Sequence, residues 1–172
     1  MDILEYALLG NPISAWLTAL GIALLINLIV GIAKWALIRR FGPVAERSTS
    51  PLDDAIVAVA QRTKQLLFLL VTLFVGTRYL ELPDRVDSAF TLIATVAGFL
   101  QVGLWAGAGL DFWLARYRER NIQDNPGATT AVAAMGFVGR LGLWAFVLLL
   151  MLDNLGVDVT AMVAGLGVGG IA

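Results

Sequence analysis

The chain contains neither cysteine nor histidine, which removes thiolate nucleophiles, disulfides, thiolate metal sites and the usual imidazole base from its chemistry. Carboxylates, guanidiniums, ammoniums and amides remain, and the telling ones lie inside apolar sequence: Asn27, Lys34, Gln101, Asp111 and Arg140. An unpartnered amide costs about 4–8 kcal/mol in pure hydrocarbon, so Asn27 and Gln101 should each face another helix through an interhelical hydrogen bond. Lys34, shortly before Arg39, is expected to snorkel toward inner headgroups. For Asp111 and Arg140 three readings stay open: an ion pair between them, a lipid phosphate held by the planar fork of Arg140, or both groups reaching water at the inner edge of the bundle. A proton or substrate relay would gather several ionisable groups on facing helices at one depth. These groups sit at an edge, and no inverted repeat or midplane ion site is visible, which weighs against a secondary transporter. No nucleophile–base or metal-ligand constellation is visible either, so no enzyme activity, metal or cofactor is expected.

The elements that must carry these groups are membrane spans. Of 172 residues, 59% are apolar and 15% charged, with a mean hydropathy of +0.82; soluble domains hold about 45–50% and about 25%. Crossing a bilayer takes about 20 apolar helical residues. The expected fold is all-α, with four complete transmembrane helices and the first part of a fifth. Asn11-Pro12 reads as a cap followed by proline and opens a helix over residues 13–38, ended by Arg39-Arg40 and Gly42-Pro43. Ser50-Pro51 opens a second over residues 52–82, wet at Asp53, Asp54, Arg62 and Lys64 and lipid-compatible from Leu66. A third covers residues 88–117 and a fourth residues 127–153, stopped by Asp153-Asn154-Leu155-Gly156. The last run, residues 159–172, is too short to cross, as though cut inside a fifth helix. Residues 1–126 thus hold three N-terminal helices, and residues 127–172 the fourth helix and the start of the fifth.

Basic residues set the expected orientation. Arg39, Arg40, Arg47, Arg62 and Lys64 precede or flank the second helix, and Arg116, Arg118 and Arg120 follow the third, which places both connections in the cytoplasm. The acidic N-terminus and the connections around Glu81–Asp87 and Asp153–Asp158 then lie outside, and the C-terminus heads inward. The acidic start Met1-Asp2-Ile3-Leu4-Glu5 does not suit a secretory signal. A net charge of −1 argues against nucleic acid as a partner.

The closing residues carry the functional signal. Ala161, Gly165 and Gly169 form one small-residue stripe at spacing i, i+4, i+8, and Ala164, Gly167 and Gly170 form a second. One stripe suits an ordinary helix pair in a non-conducting assembly or lipid-binding module, which is the rival reading. Two stripes allow the helix to be gripped from both flanks, as a closed ring of identical helices requires. Met162, Leu166 and Ile171 are then the larger side chains available to line or block the axial hole by dewetting.

The stretch from Asn125 to Ala172 resembles the pore region of the small-conductance mechanosensitive channel (MscS) family. The resemblance is carried by a proline-started helix with Arg140, the turn Leu152-Asp153-Asn154-Leu155-Gly156-Val157, and the string Ala164-Gly165-Leu166-Gly167-Val168-Gly169-Gly170-Ile171-Ala172. It implies a homoheptameric, tension-gated channel of a bacterial-type inner membrane, passing ions and small solutes with weak selectivity during osmotic downshock. It further implies that Ala161, Ala164, Gly165, Gly167, Gly169, Gly170 and Ala172 pack pore helices together. Ile171 would stand at the first hydrophobic ring, and lipid headgroups would be the partner of Arg140.

Overall fold

A backbone surrounded by lipid must satisfy its hydrogen bonds internally, and helix is the solution for long apolar runs. The computed structural model of the chain describes residues 7–45, 51–121 and 126–171. Among them lie six helices: α1 (Ile13–Ala45), α2 (Pro51–Gln61), α3 (Gln65–Thr77), α4 (Asp84–Asn121), α5 (Pro126–Asn154) and α6 (Thr160–Ile171). The fold is helical apart from one antiparallel pairing, β1 (Ala7–Leu8) with β2 (Asn11–Pro12), which the all-α expectation did not include. Its two-residue turn needs positive φ, supplied at Leu9 (51°) and Gly10 (82°).

Among the described residues three helices are long and apolar enough to cross a membrane, Ile13–Arg40, Asp84–Glu119 and Thr130–Asn154, or four if the bent pair Asp54–Gln61 and Gln65–Thr77 forms one span. The segment expected as one continuous second helix over residues 52–82 is instead two helices, and Asp54–Gln61 and Gln65–Thr77 meet at a 72° bend. The physical reason is local. Gln61-Arg62-Thr63-Lys64-Gln65 places five polar residues in a row, more than a full turn, so no helix rotation could turn them all away from apolar neighbours. The first helix also differs from expectation, running through Gly42-Pro43 to Ala45. Proline removes the bond to the carbonyl four residues earlier, which costs least near a wet helix end.

Neighbouring helices lie side by side in chain order, with α3 packed between α1 and α4 and with α5 on the far side of α4. Small residues make this possible. The buried core consists largely of alanines, among them Ala19, Ala23, Ala60, Ala94, Ala97 and Ala108, while leucines and aromatics face outward. Where α1 meets α3, a β-carbon on Gly76 would stand 2.4 Å from the Ala19 carbonyl oxygen. Where α4 meets α5, Gly103 admits the Trp144 ring, and Gly136 and Gly139 admit Leu114 and Leu110. Such close backbone approach substitutes for the hydrophobic drive that lipid does not supply.

Just before α1, Asn11 does not act as the expected helix cap. Its buried side chain donates to the Glu81 carbonyl and accepts from the Glu81 N–H, both at 2.8 Å, which ties the hairpin to the α3–α4 connection. Arg78 pairs with Asp87 across that same connection. Helix α5 ends on Gly156 (φ 82°), with Val157 N–H bonded to Leu152 O and Gly156 N–H to Asp153 O, both at 3.0 Å. This is a Schellman closure, in which the glycine takes the left-handed position.

Candidate functional site

Breaking a helix in apolar surroundings frees backbone groups that lipid cannot satisfy. At the α2–α3 bend neighbouring spans repair them. From α1, the Lys34 ammonium donates to the Thr63 carbonyl at 2.6 Å. From α4, the Gln101 Oε1 accepts the Lys64 N–H at 2.8 Å while its Nε2 donates to the Arg62 carbonyl at 3.4 Å. Trp105 Nε1 donates to the Thr63 hydroxyl at 3.0 Å, and that hydroxyl donates to the Val59 carbonyl. Gln65, the first residue of α3, donates to the Asn27 side-chain oxygen at 2.7 Å and to the Asn27 carbonyl at 2.9 Å. No buried side-chain nitrogen or oxygen among the described residues lacks a partner.

The partners fall on two helix faces. Asn27, Gly31 and Lys34 stand at i, i+4 and i+7 on α1, with Gly31 leaving room for the Gln65 amide, whose Nε2 a β-carbon there would meet at 3.1 Å. On α4, Gln101, Trp105 and Ala108 follow the same spacing, in line with the buried Ala94 and Ala97. Asn27 and Gln101 thus form the interhelical bonds expected of them, Asn27 with the Gln65 side chain and Gln101 with the interrupted backbone. Lys34, expected to reach toward headgroups, instead donates a charge-assisted bond to the Thr63 carbonyl at the break. It also stands on the wall of an apolar cleft of about 470 Å³ between α1, α2 and α4, lined by Val30, Ala33, Ile56, Phe68 and Trp105 among others.

Asp111 and Arg140 are brought together. Arg140 donates through Nε (3.0 Å) and Nη2 (2.7 Å) to Asp111 Oδ1. The second oxygen, Oδ2, accepts from Arg62 Nη2 at 3.1 Å. One carboxylate therefore serves two guanidiniums, from the bend and from α5, and the triad carries one net positive charge. Both arginine side chains remain about half exposed, at 52% and 58%. In sequence Arg62 reads only as part of the wet opening of the second helix. The five-residue polar run was the signal that could have placed it, with Thr63 and Gln65, at a break.

Of the residues expected to line or pack a pore, Ala161, Met162, Ala164, Gly165 and Gly167 are exposed on α6. No atom from elsewhere in the structure comes within 4 Å of a β-carbon built at Gly165 or Gly167. Leu166, Gly169, Gly170 and Ile171 belong to the same helix, but their side-chain surroundings, like Ala172 as a whole, lie outside the described residues. Among the described residues α6 makes no extended contact with another element. Its first turn is fixed by Asp158, whose Oδ1 accepts the Thr160 N–H at 2.9 Å. Hydrogen bonds from the Thr160 side chain and backbone hold the Asp158 carboxyl below its ordinary value. Among the described residues no group of three or more acidic side chains could hold a metal.

Comparison with known proteins points the same way. Residues 140–172, from Arg140 through α6, match the family described as "Mechanosensitive ion channel, transmembrane helices 2/3". Over 99% of its length the chain is 25% identical to the "Large-conductance mechanosensitive channel MscMJLR" of Methanocaldococcus jannaschii. The chain spans about half of that relative, 48% of its length. No solved structure matches. The matched family and the relative support a mechanosensitive channel family and a multi-pass membrane protein.

Proposed function

We propose that the chain supplies the membrane part of a mechanosensitive channel subunit, in which α6 from several copies lines a shared axial pore. The observation that carries this reading is the state of α6: a glycine- and alanine-rich helix, exposed throughout its described side chains and without an extended partner among the described residues. A helix with small residues on two flanks packs best against others like itself. Its position after a helix that begins to match the channel family at Arg140 supports the same assignment.

On this reading α1 to α5 form a lipid-facing paddle and α6 the wall, with Met162, Leu166 and Ile171 as the narrowing side chains and Ala161, Ala164, Gly165, Gly167, Gly169, Gly170 and Ala172 as the packing surface. The pore is of the small-conductance type, weakly selective, homoheptameric, and protective in osmotic downshock. The N-terminus lies outside and the basic connections inside a bacterial-type inner membrane. Tension can shift the closed–open equilibrium only through a difference between the two states, here the membrane area occupied by the paddle. Lipids held near Arg140 and in the cleft beside Lys34 would contribute to that difference.

The test is patch recording from the full-length protein reconstituted in liposomes. Tension-activated current in the wild type, lost or moved to higher tension by Gly165→Leu, is the expected result. Absence of current, or unchanged thresholds in a Gly165→Leu protein that still assembles, refutes the reading in favour of a non-conducting assembly or lipid-binding module.

A further inference from the structure

We propose that Asp111 is a positioning residue, a carboxylate latch that joins the bent second span to α5 so that the two move as one body. Among the described residues neither α2 nor α3 packs extensively on α5, because α4 stands between them. The direct polar route from the bend to α5 is Arg62–Asp111–Arg140. Each carboxylate oxygen is committed to a different guanidinium, Oδ1 to Arg140 and Oδ2 to Arg62. Neither cation substitutes for the other, and removing the carboxylate leaves two like charges facing each other.

The surrounding packing makes this connection stiff. Just before Arg140, Gly136 and Gly139 bring the α5 backbone against Leu114 and Leu110, whose side chains lie 3.1 and 3.3 Å from where a β-carbon would stand. Leu114 is itself buried. Arg140 therefore reaches Asp111 from a stretch of α5 packed closely on α4. At the other end Arg62 sits on the two-residue stretch before Lys64, the N-cap of α3, where Gln101 and Lys34 hold the backbone. A change in the 72° bend thus displaces Arg62 and, through Asp111, pulls on the helix that leads through Gly156 into α6. The consequence for channel opening rests on the function proposed above, whereas the mechanical connection does not.

The absence of native cysteine permits a direct test on the full-length protein. Spin labels at Ile56→Cys on α2 and Val138→Cys on α5, both exposed, report the separation across the latch by pulsed electron resonance in nanodiscs, with labelled chains diluted among unlabelled ones. Asp111→Asn should broaden the distance distribution and shift its main peak, and Asp111→Glu should return it. Arg62→Gln keeps the Asp111–Arg140 pair intact and should loosen the same distance without loss of assembly. In patch recordings the tension threshold should move with Asp111→Asn and recover with Asp111→Glu. Unchanged distances in both Asp111→Asn and Arg62→Gln overturn the latch, and moved distances with an unmoved threshold overturn its coupling to opening. A wild type that passes no current refutes the channel reading, and the distance measurements then decide the latch alone.

Discussion

Replacing Gln101 by leucine tests the claim that the bend exists because neighbouring spans satisfy it. Gln101 is 4% exposed, and its Oε1 is the acceptor of the Lys64 N–H at 2.8 Å. Leucine is of similar size and apolar, so packing beside Leu67, Phe68 and Trp105 is largely kept while the acceptor vanishes. An amide left without its partner costs about 1–3 kcal/mol. The bond to the Arg62 carbonyl, at 3.4 Å, is long and adds little. At about 1.4 kcal/mol per tenfold, the Lys64 amide should lose about 5- to 150-fold of its protection from hydrogen exchange. Exchange in nanodiscs, read over Lys64 and the first turn of α3 and referenced to amides in the middle of α4, measures this directly. Gln101→Glu keeps an oxygen at the same reach and should retain more protection than leucine. If Gln101→Leu exchanges at the wild-type rate with helical content unchanged, apolar packing holds the bend and the polar repair is incidental.

Gly76→Ala should destabilise the α1–α3 contact by about 1–3 kcal/mol, because its new β-carbon would meet the Ala19 backbone carbonyl at 2.4 Å and not a flexible side chain. Gly98→Ala meets open space and should be neutral or slightly stabilising in the same detergent-unfolding titration; equal losses in the two variants would contradict close packing at Gly76. Asp158→Ala should speed exchange of the Thr160 amide, since the carboxylate caps the first turn of α6. A carboxyl held below its ordinary value stabilises the fold above that value, and the contribution disappears as pH falls through the lowered one. Wild-type α6 should therefore fray at its start only below about pH 3.9, the ordinary aspartate value, and Asp158→Ala should show no such acid step.

What the sequence disclosed and what it hid divide along one physical line. The three long apolar helices followed from apolar length, and the stop of α5 followed from Gly156, because these depend on local chain chemistry. Asn27 and Gln101 could be assigned interhelical partners because an amide in lipid has no other cheap option. The bend was hidden, for no proline or glycine marks it, and the residues that sustain it stand on α1 and α4, some thirty to forty positions away along the chain. The reverse inference was nevertheless open. Asn27, Lys34, Gln101 and Asp111 are four polar side chains on two spans, and the intervening span offers few polar side chains to receive them except in Gln61-Arg62-Thr63-Lys64-Gln65. Donors and acceptors in such excess require backbone groups as partners, and backbone groups become free only where a helix is interrupted. An apolar span crossed by a full turn of polar residues, flanked by spans with unmatched amides and cations, should on this argument be read as broken, and the ionic side chain nearest the break as its link to the next helix.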